Sequence, residues 1–233
     1  IAEKLVSHSP EPTLLAVTMK PPFSIDAEGK NDVTKWPRGT TYPAPVLIER
    51  DETFKGDIIL EMAAKQGRQG IRGPEMTITP DQNRILYPVF LPEWLETTRT
   101  SRMVVNGVAR IADPAGRIRY SSSKLVTRLG FLPTGAMLKI ERMYPELEVA
   151  AGERFEVPVR ILRASELSGP VRVELVHEAD GGRAFKATVA NMDEAARQVT
   201  LLVTPLMHDR ITEARKLKVR ATSLWKGHPV VSE

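Results

Sequence analysis

The stretch "DAEGKND" gathers Asp26, Glu28, Asn31 and Asp32 around Gly29. Hard oxygen donors crowded on a turn are what a calcium ion takes. The spacing is not that of an EF-hand loop, and Lys30 interrupts it, so the same residues also read as an acidic, solvated turn. A second kind of chemistry belongs to the tryptophans. Trp94, in the loop-like "LPEWLETT", is the candidate ligand-facing residue, because an exposed indole stacks on flat apolar faces such as those of sugar rings. Packing is the competing reading for it. Trp36 and Trp225 read as plugs at the edge or end of a core.

Other chemistries lack their parts. His8, His177, His208 and His228 show no HxH or HExxH spacing, so no adjacent-ligand zinc site is expected. Cysteine is absent, which removes disulfides, thiolate metal sites and cysteine nucleophiles. "GRQGIRGP" carries Gly67, Gly70 and Gly73 but neither the Lys-Ser/Thr nor the following helix of a phosphate loop; it reads as an inter-strand loop. The Ser121-Ser122-Ser123 run has no GxSxG context. A triad or carboxylate pair assembled across strands would leave no mark in one sequence. The expectation is therefore no catalytic residue, no cofactor and no resident metal.

The elements that would carry these residues are strands. "PVRVELV" alternates Val171, Val173 and Leu175 with Arg172, Glu174 and Val176, and "RFEVPVRIL" puts Phe155, Val157, Val159 and Ile161 on one face. "KLKVRATSL" repeats the pattern with Leu217, Val219 and Ala221. "MDEAARQ" and "DIILEMAAKQ" hold helix formers, the second opposed by its strand-like counterpart "PVRVELV".

That counterpart belongs to a duplication. At a constant offset of 113 (158 minus 45), Pro45 matches Pro158, Val46 Val159, Ile48 Ile161, Arg50 Arg163, and Gly56 Gly169. Upstream, Gly39 matches Gly152 and Tyr42 matches Phe155; downstream, at 114, Arg84–Val89 matches Gln198–Val203. A period of this length marks duplicated domains rather than solenoid repeats of roughly 20–50 residues. The sequence predicts an N-terminal segment over 1–12, a first unit over 13–131, a linker over 132–135 ("LPTG") and a second unit over 136–233. The second unit is expected to lack its last strand, since the counterpart of "GRIRYSSSKLVTR" would begin near Val231; the first is expected to carry an insertion, "SIDAEGKNDVTKWP". Short strands, about 100 residues per unit and eighteen prolines predict an all-β chain of two tandem immunoglobulin-like β-sandwich domains. The predicted core is Val46, Ile48, Ile58, Leu60, Val105, Val159, Ile161, Val171, Val173, Leu201, Leu217 and Val219.

With 33 basic and 29 acidic residues interleaved, the net charge of +4 is too dispersed to predict a nucleic-acid partner. No apolar run reaches the roughly 18 residues of a membrane span, so no membrane insertion is expected of these residues. The chain begins at Ile1 without a signal-peptide pattern, which predicts a segment of a longer precursor.

"FKGDIILEM", "LPEWLETTRTSRMVVNGVARIADPAGRIRY" and "RATSLWKGHPVVSE" together resemble the tandem Ig-like modules of large exported bacterial proteins, notably planctomycete ones, which adjoin pre-peptidase C-terminal domains. The resemblance runs from about Leu14 onward. It implies an extracytoplasmic location, partners among other domains of the same precursor, and a spacer, scaffold or adhesion role; it transfers no catalytic residue. An accessory carbohydrate-binding module of a secreted hydrolase, with polysaccharide as partner, is the alternative.

Overall fold

The computed structural model describes residues 20–29, 34–96, 102–128, 131–144, 146–150, 152–176, 185–206 and 216–233. These form an all-β chain with a single four-residue helical turn, α1 (Ala64–Gly67). In the N-terminal half, β1 (Phe23–Ala27), β3 (Thr40–Arg50) and β6 (Arg84–Leu91) make one sheet. Its partner holds β5 (Met76–Ile78), β4 (Ile58–Met62), β7 (Arg102–Ala112) and β8 (Ile118–Arg128), in that order. The C-terminal half pairs β10 (Leu138–Arg142), β11 (Phe155–Arg163), β15 (Gln198–Pro205) and β13 (Phe185–Ala187) in one sheet. β14 (Ala190–Met192), β12 (Val171–Val176), β16 (Lys218–Trp225) and β17 (His228–Ser232) make the other.

Alternation decides which face is buried. In β3, Ala44, Val46 and Ile48 point inward, and in β12 Val171, Val173 and Leu175 do, while the residues between them stay in contact with solvent. The inward residues collect into two separate hydrophobic clusters. One draws on both N-terminal sheets, with Val46, Ile58, Leu60, Tyr87 and Val105 at its centre. The other draws on both C-terminal sheets, around Ile161, Val171, Val173 and Leu201. Each is what two facing sheets produce when their inner faces interdigitate.

The register of the two halves is the same. Pro45 pairs with Leu86 and Pro158 with Thr200; Tyr42 pairs with Val89 and Phe155 with Val203. The second sheets agree too: Leu60 pairs with Gly107 as Val173 pairs with Ala221, and Ile58 with Ile78 as Val171 with Met192. Even the isolated bridge Arg72–Phe90 stands where Lys186 pairs with Thr204 in β13.

Two shared residue types explain themselves in this frame. Pro43 faces Pro88 across β3 and β6, and neither has an N–H, so that pair is not hydrogen-bonded. By alternation Pro45–Leu86 is not either. On its other edge β3 is paired only at Thr40 and from Val46 onward, so both prolines sit where the ladder asks for no donor. Pro158 likewise falls just before the stretch of β11 that pairs with β10. The matched arginines pin matched turns: Arg50 donates to the carbonyls of Gln82 and Thr79 (both 2.9 Å), and Arg163 to those of Gly169 (2.6 Å) and Asp193 (3.4 Å).

Several expectations need correction. The second half does carry a strand at the place expected to lack one: β17 pairs with β16 along its length, reached by a two-residue turn in which Lys226 and Gly227 have φ of 49° and 81°. The expected linker is not a free connection. It lies in β9 (Phe131–Ala136), which pairs in parallel with β2 (Thr34–Arg38). The expected insertion is not one: β1 occupies its first residues, and Ile25 pairs with Ile48 as Ile140 pairs with Ile161, so the second half has an equivalent connection. "MDEAARQ" ends β14 and continues as a turn, not a helix. Leu217 precedes β16 and is, like Val219, only half-buried, because β12 ends beside this end of the strand. Gly56 and Gly169 follow matched strands for different reasons: the Phe54 ring lies against Gly56, whereas Gly169 has φ of 93°.

Candidate functional site: the junction between the halves

The sequence forces a sharp change of direction between β2 and β3. Gly39 supplies it with φ of 81°, a left-handed conformation that costs any residue with a Cβ about 1–2 kcal/mol. The turn exposes the Gly39 carbonyl toward the C-terminal half, where the Val231 N–H donates to it at 2.7 Å. Next to it Thr40 pairs with Val230, so β3 and β17 join their sheets into one of seven strands. The Gly39 N–H is held in turn by the Leu91 carbonyl at 2.7 Å.

Aromatic rings fill the space beside this backbone seam. Trp36 meets Tyr42, Trp225 and His228 at ring-centroid distances of 5.3, 5.5 and 5.0 Å, all close to edge-on. Such contacts add about 0.5–1.5 kcal/mol each beyond area burial. The Lys226 ammonium stands 4.9 Å from the Trp225 ring centroid. On the other flank, one Glu93 oxygen accepts from the Ser232 hydroxyl and from the Glu233 N–H, both at 3.3 Å. Arg38 closes the seam by donating to the carbonyls of Thr134 (2.9 Å) and Leu95 (3.1 Å).

Glu233 is engaged from the opposite side by Lys218 and Arg220. Burial pushes its carboxyl up, but the hydrogen bonds and charge of those two cations outweigh this and hold it below the usual carboxylate range. Beside the seam a cleft of about 350 Å³ opens between Lys35, Thr134, Glu166, Ser168 and Trp225. Its lining mixes single cations, a carboxylate and hydroxyls without a nucleophile–base pair in contact.

Among the described residues, those singled out in the sequence are not brought together. Asp26 ends up in β1 with its Oδ1 accepting from the Ala27 N–H at 2.8 Å. Glu28 gives its carboxylate to Arg84, at 2.7 and 2.8 Å. Asn31 and Asp32 lie outside the described residues, as do His8, His177 and His208. Among the described residues no group of three or more metal-ligating side chains converges. Trp94 is 60 % exposed, with one edge of its ring against Gly70. Gly73 makes room in the same way for the Tyr87 ring, so two glycines of "GRQGIRGP" clear aromatic side chains.

In the sequence Trp36 and Trp225 read as plugs, but nothing there joins them or gives a part to His228 or Glu93. The one signal available was the mismatch of Trp36 with Val149 in the duplicated alignment: a large aromatic present in one copy only marks a surface that only one copy covers.

No protein-family model matches the chain, and no curated protein matches it. Among solved structures it is similar to a 1.5-MDa bacterial ice-binding adhesin, at 12% identity and a TM-score of 0.28, covering 90% of this chain and 62% of the other. It is similar as well to a Ca2+-stabilized ice-binding adhesin of an Antarctic bacterium, at 13% identity and a TM-score of 0.27, covering 90% and 47%. A third is the extracellular cadherin domains 1–4 of protocadherin Gamma B7, at 11% identity and a TM-score of 0.29, covering 90% and 48%. The chain thus spans from about half to three-fifths of the length of these structures.

Proposed function

We propose that the chain is a pair of tandem immunoglobulin-like β-sandwich domains, over 13–131 and 136–233, acting as a non-catalytic structural and interaction module of a larger exported bacterial protein. The observation that carries this reading is the shared register combined with the seam at Gly39. Two copies of one strand plan are joined by backbone pairing, not by a loose tether. A seam of this kind fixes the angle between neighbours, which is what a spacer or scaffold needs.

The immunoglobulin-like label rests on strand order. Lettering the seven main strands of each half A to G, the sheets are A-B-E and D-C-F-G. The constant-type arrangement is ABED and CFG; here the fourth strand pairs with the third instead, a variation within the broad sandwich class. The extracytoplasmic location and bacterial origin rest on the resemblance of "FKGDIILEM", the "LPEWLETT…GRIRY" stretch and "RATSLWKGHPVVSE" to exported tandem modules.

Screening the purified chain against glycoside, ester and peptide substrates tests the non-catalytic part. Turnover that a single carboxylate or histidine substitution abolishes would overturn it. Carbohydrate binding is favoured by one observation, the exposure of Trp94. Affinity for an insoluble polysaccharide that disappears in Trp94→Ala, with the fold intact, would move the assignment to an accessory binding module.

A further inference from the structure

The duplicated register assigns Val149 and Gly152 as the equivalents of Trp36 and Gly39, and among the described residues that surface of the C-terminal half is open. Gly152 stands for Gly39 and has the same conformation, φ of 82° against 81°. Around Gly39 a Cβ would lie 2.9 Å from the Val231 oxygen; around Gly152 no atom of the described residues stands within 4 Å. Val149 takes the place of Trp36 and is 47% exposed; Tyr144 and Leu147 upstream of it, and Leu206 just past β15, are exposed as well. The segment Glu146–Glu156 carries four carboxylates against one guanidinium, Arg154.

At the other end of the chain the β7–β8 hairpin stands for β16–β17, the hairpin that docks on the Gly39 seam. It is longer, closing through the turn after Ala112, and it leaves Ile118 exposed and Tyr120 74% exposed. Arg110, Arg117 and Arg119 surround them, with Asp113 the one acid between, bonded to Arg119 at 3.1 Å. An apolar acidic surface and an apolar basic hairpin thus lie on opposite halves, in the positions that meet inside the chain.

We propose that the Gly152 surface is a docking face for a second copy of this chain, entered by that copy's β7–β8 hairpin, so that chains associate head to tail. The inference rests on the tandem-module reading and extends its internal seam. Because the two surfaces differ, the contact is heterologous and leaves a free end on each side. Opposite charge at the rim makes it salt-sensitive.

Sedimentation velocity of the full chain, from about 1 μM to about 1 mM, tests it over the range down to weak specific affinity. The weight-average sedimentation coefficient is expected to rise with concentration and to fall back in about 1 M salt, where the Debye length is about 3 Å. Val149→Asp removes the face and Ile118→Asp the hairpin; both residues are on the surface, so the cores stay intact. Each variant alone is expected to be monomeric, and an equal mixture is expected to give a one-to-one dimer and nothing larger. A wild-type chain that stays monomeric throughout, or a mixture that forms no dimer, overturns the proposal. Spin-label distances between the two halves, read on the same monomers, judge the tandem reading separately: narrow distances in a chain that never associates discard the docking alone.

Discussion

Replacing Gly39 by alanine, with Gly152→Ala as its matched control, separates backbone conformation from inter-half contact. Both glycines sit at φ near 80°, so both substitutions carry the left-handed penalty of about 1–2 kcal/mol. Only at Gly39 does the new Cβ collide, 2.9 Å from the Val231 carbonyl oxygen and 3.7 Å from the Glu93 Cβ. The oxygen belongs to backbone and cannot swing aside, so β17 must back away and strain the 2.7 Å bond from the Val231 N–H to the Gly39 carbonyl. That bond is worth about 0.5–1.5 kcal/mol net. Gly39→Ala is thus expected to cost about 1.5–3.5 kcal/mol against about 1–2 kcal/mol for Gly152→Ala. Urea unfolding followed by tryptophan fluorescence measures both, the shift appearing in the midpoint at unchanged slope. Equal losses for the two variants would refute the claim that the halves press on each other at Gly39.

Val173→Ala removes buried methyls from the centre of the second core and is expected to cost about 1–3 kcal/mol by the same assay. Tyr87 is fully buried, its hydroxyl donating to the Pro74 carbonyl at 2.6 Å, and burial followed by the Glu61 charge pushes its pKa up to about 12. Its contribution is complete below the unfolded value near 10 and is lost as pH rises from there through about 12; Tyr87→Phe should flatten that alkaline limb of the stability curve. Glu233 works in the acid range: its lowered carboxyl pKa stabilises the fold above the unfolded value of 4.5 and stops doing so as pH falls through the folded one. Glu233→Gln should make stability less sensitive to acid below that point. Calcium is expected to leave the melting temperature unchanged, because Glu28 is committed to Arg84; a calcium-dependent rise lost in Glu28→Gln would restore the acidic turn as a cation site.

Strand pairing was readable because each half spells out its own constraints. Val171 and Val173 alternate with Arg172 and Glu174, Pro45 and Pro158 mark where a ladder goes unpaired, and Arg50 and Arg163 both reach the turn at Thr79 and its counterpart Asp193. These are local or near-local features, and the two alignment offsets meet in one register because each copy had to satisfy them. The seam was hidden for the opposite reason. Trp36 reaches Trp225 and His228 across most of the chain, and β2 pairs with β9 in parallel, a contact that no alternation announces. The partner of Glu28 was hidden in the same way, since Arg84 stands fifty-six positions on.

A junction built from paired backbone and packed rings holds the two halves at one angle. The chain has no cysteine, so Lys55→Cys and Glu194→Cys, both on the surface, introduce a unique pair of spin labels, one in each half. Double electron–electron resonance on that pair is expected to give a single narrow distance distribution, which broadens when Trp36→Ala strips the ring cluster from the seam. A broad or multi-peaked distribution in the otherwise unaltered chain would contradict a built junction and leave two sandwiches on a tether.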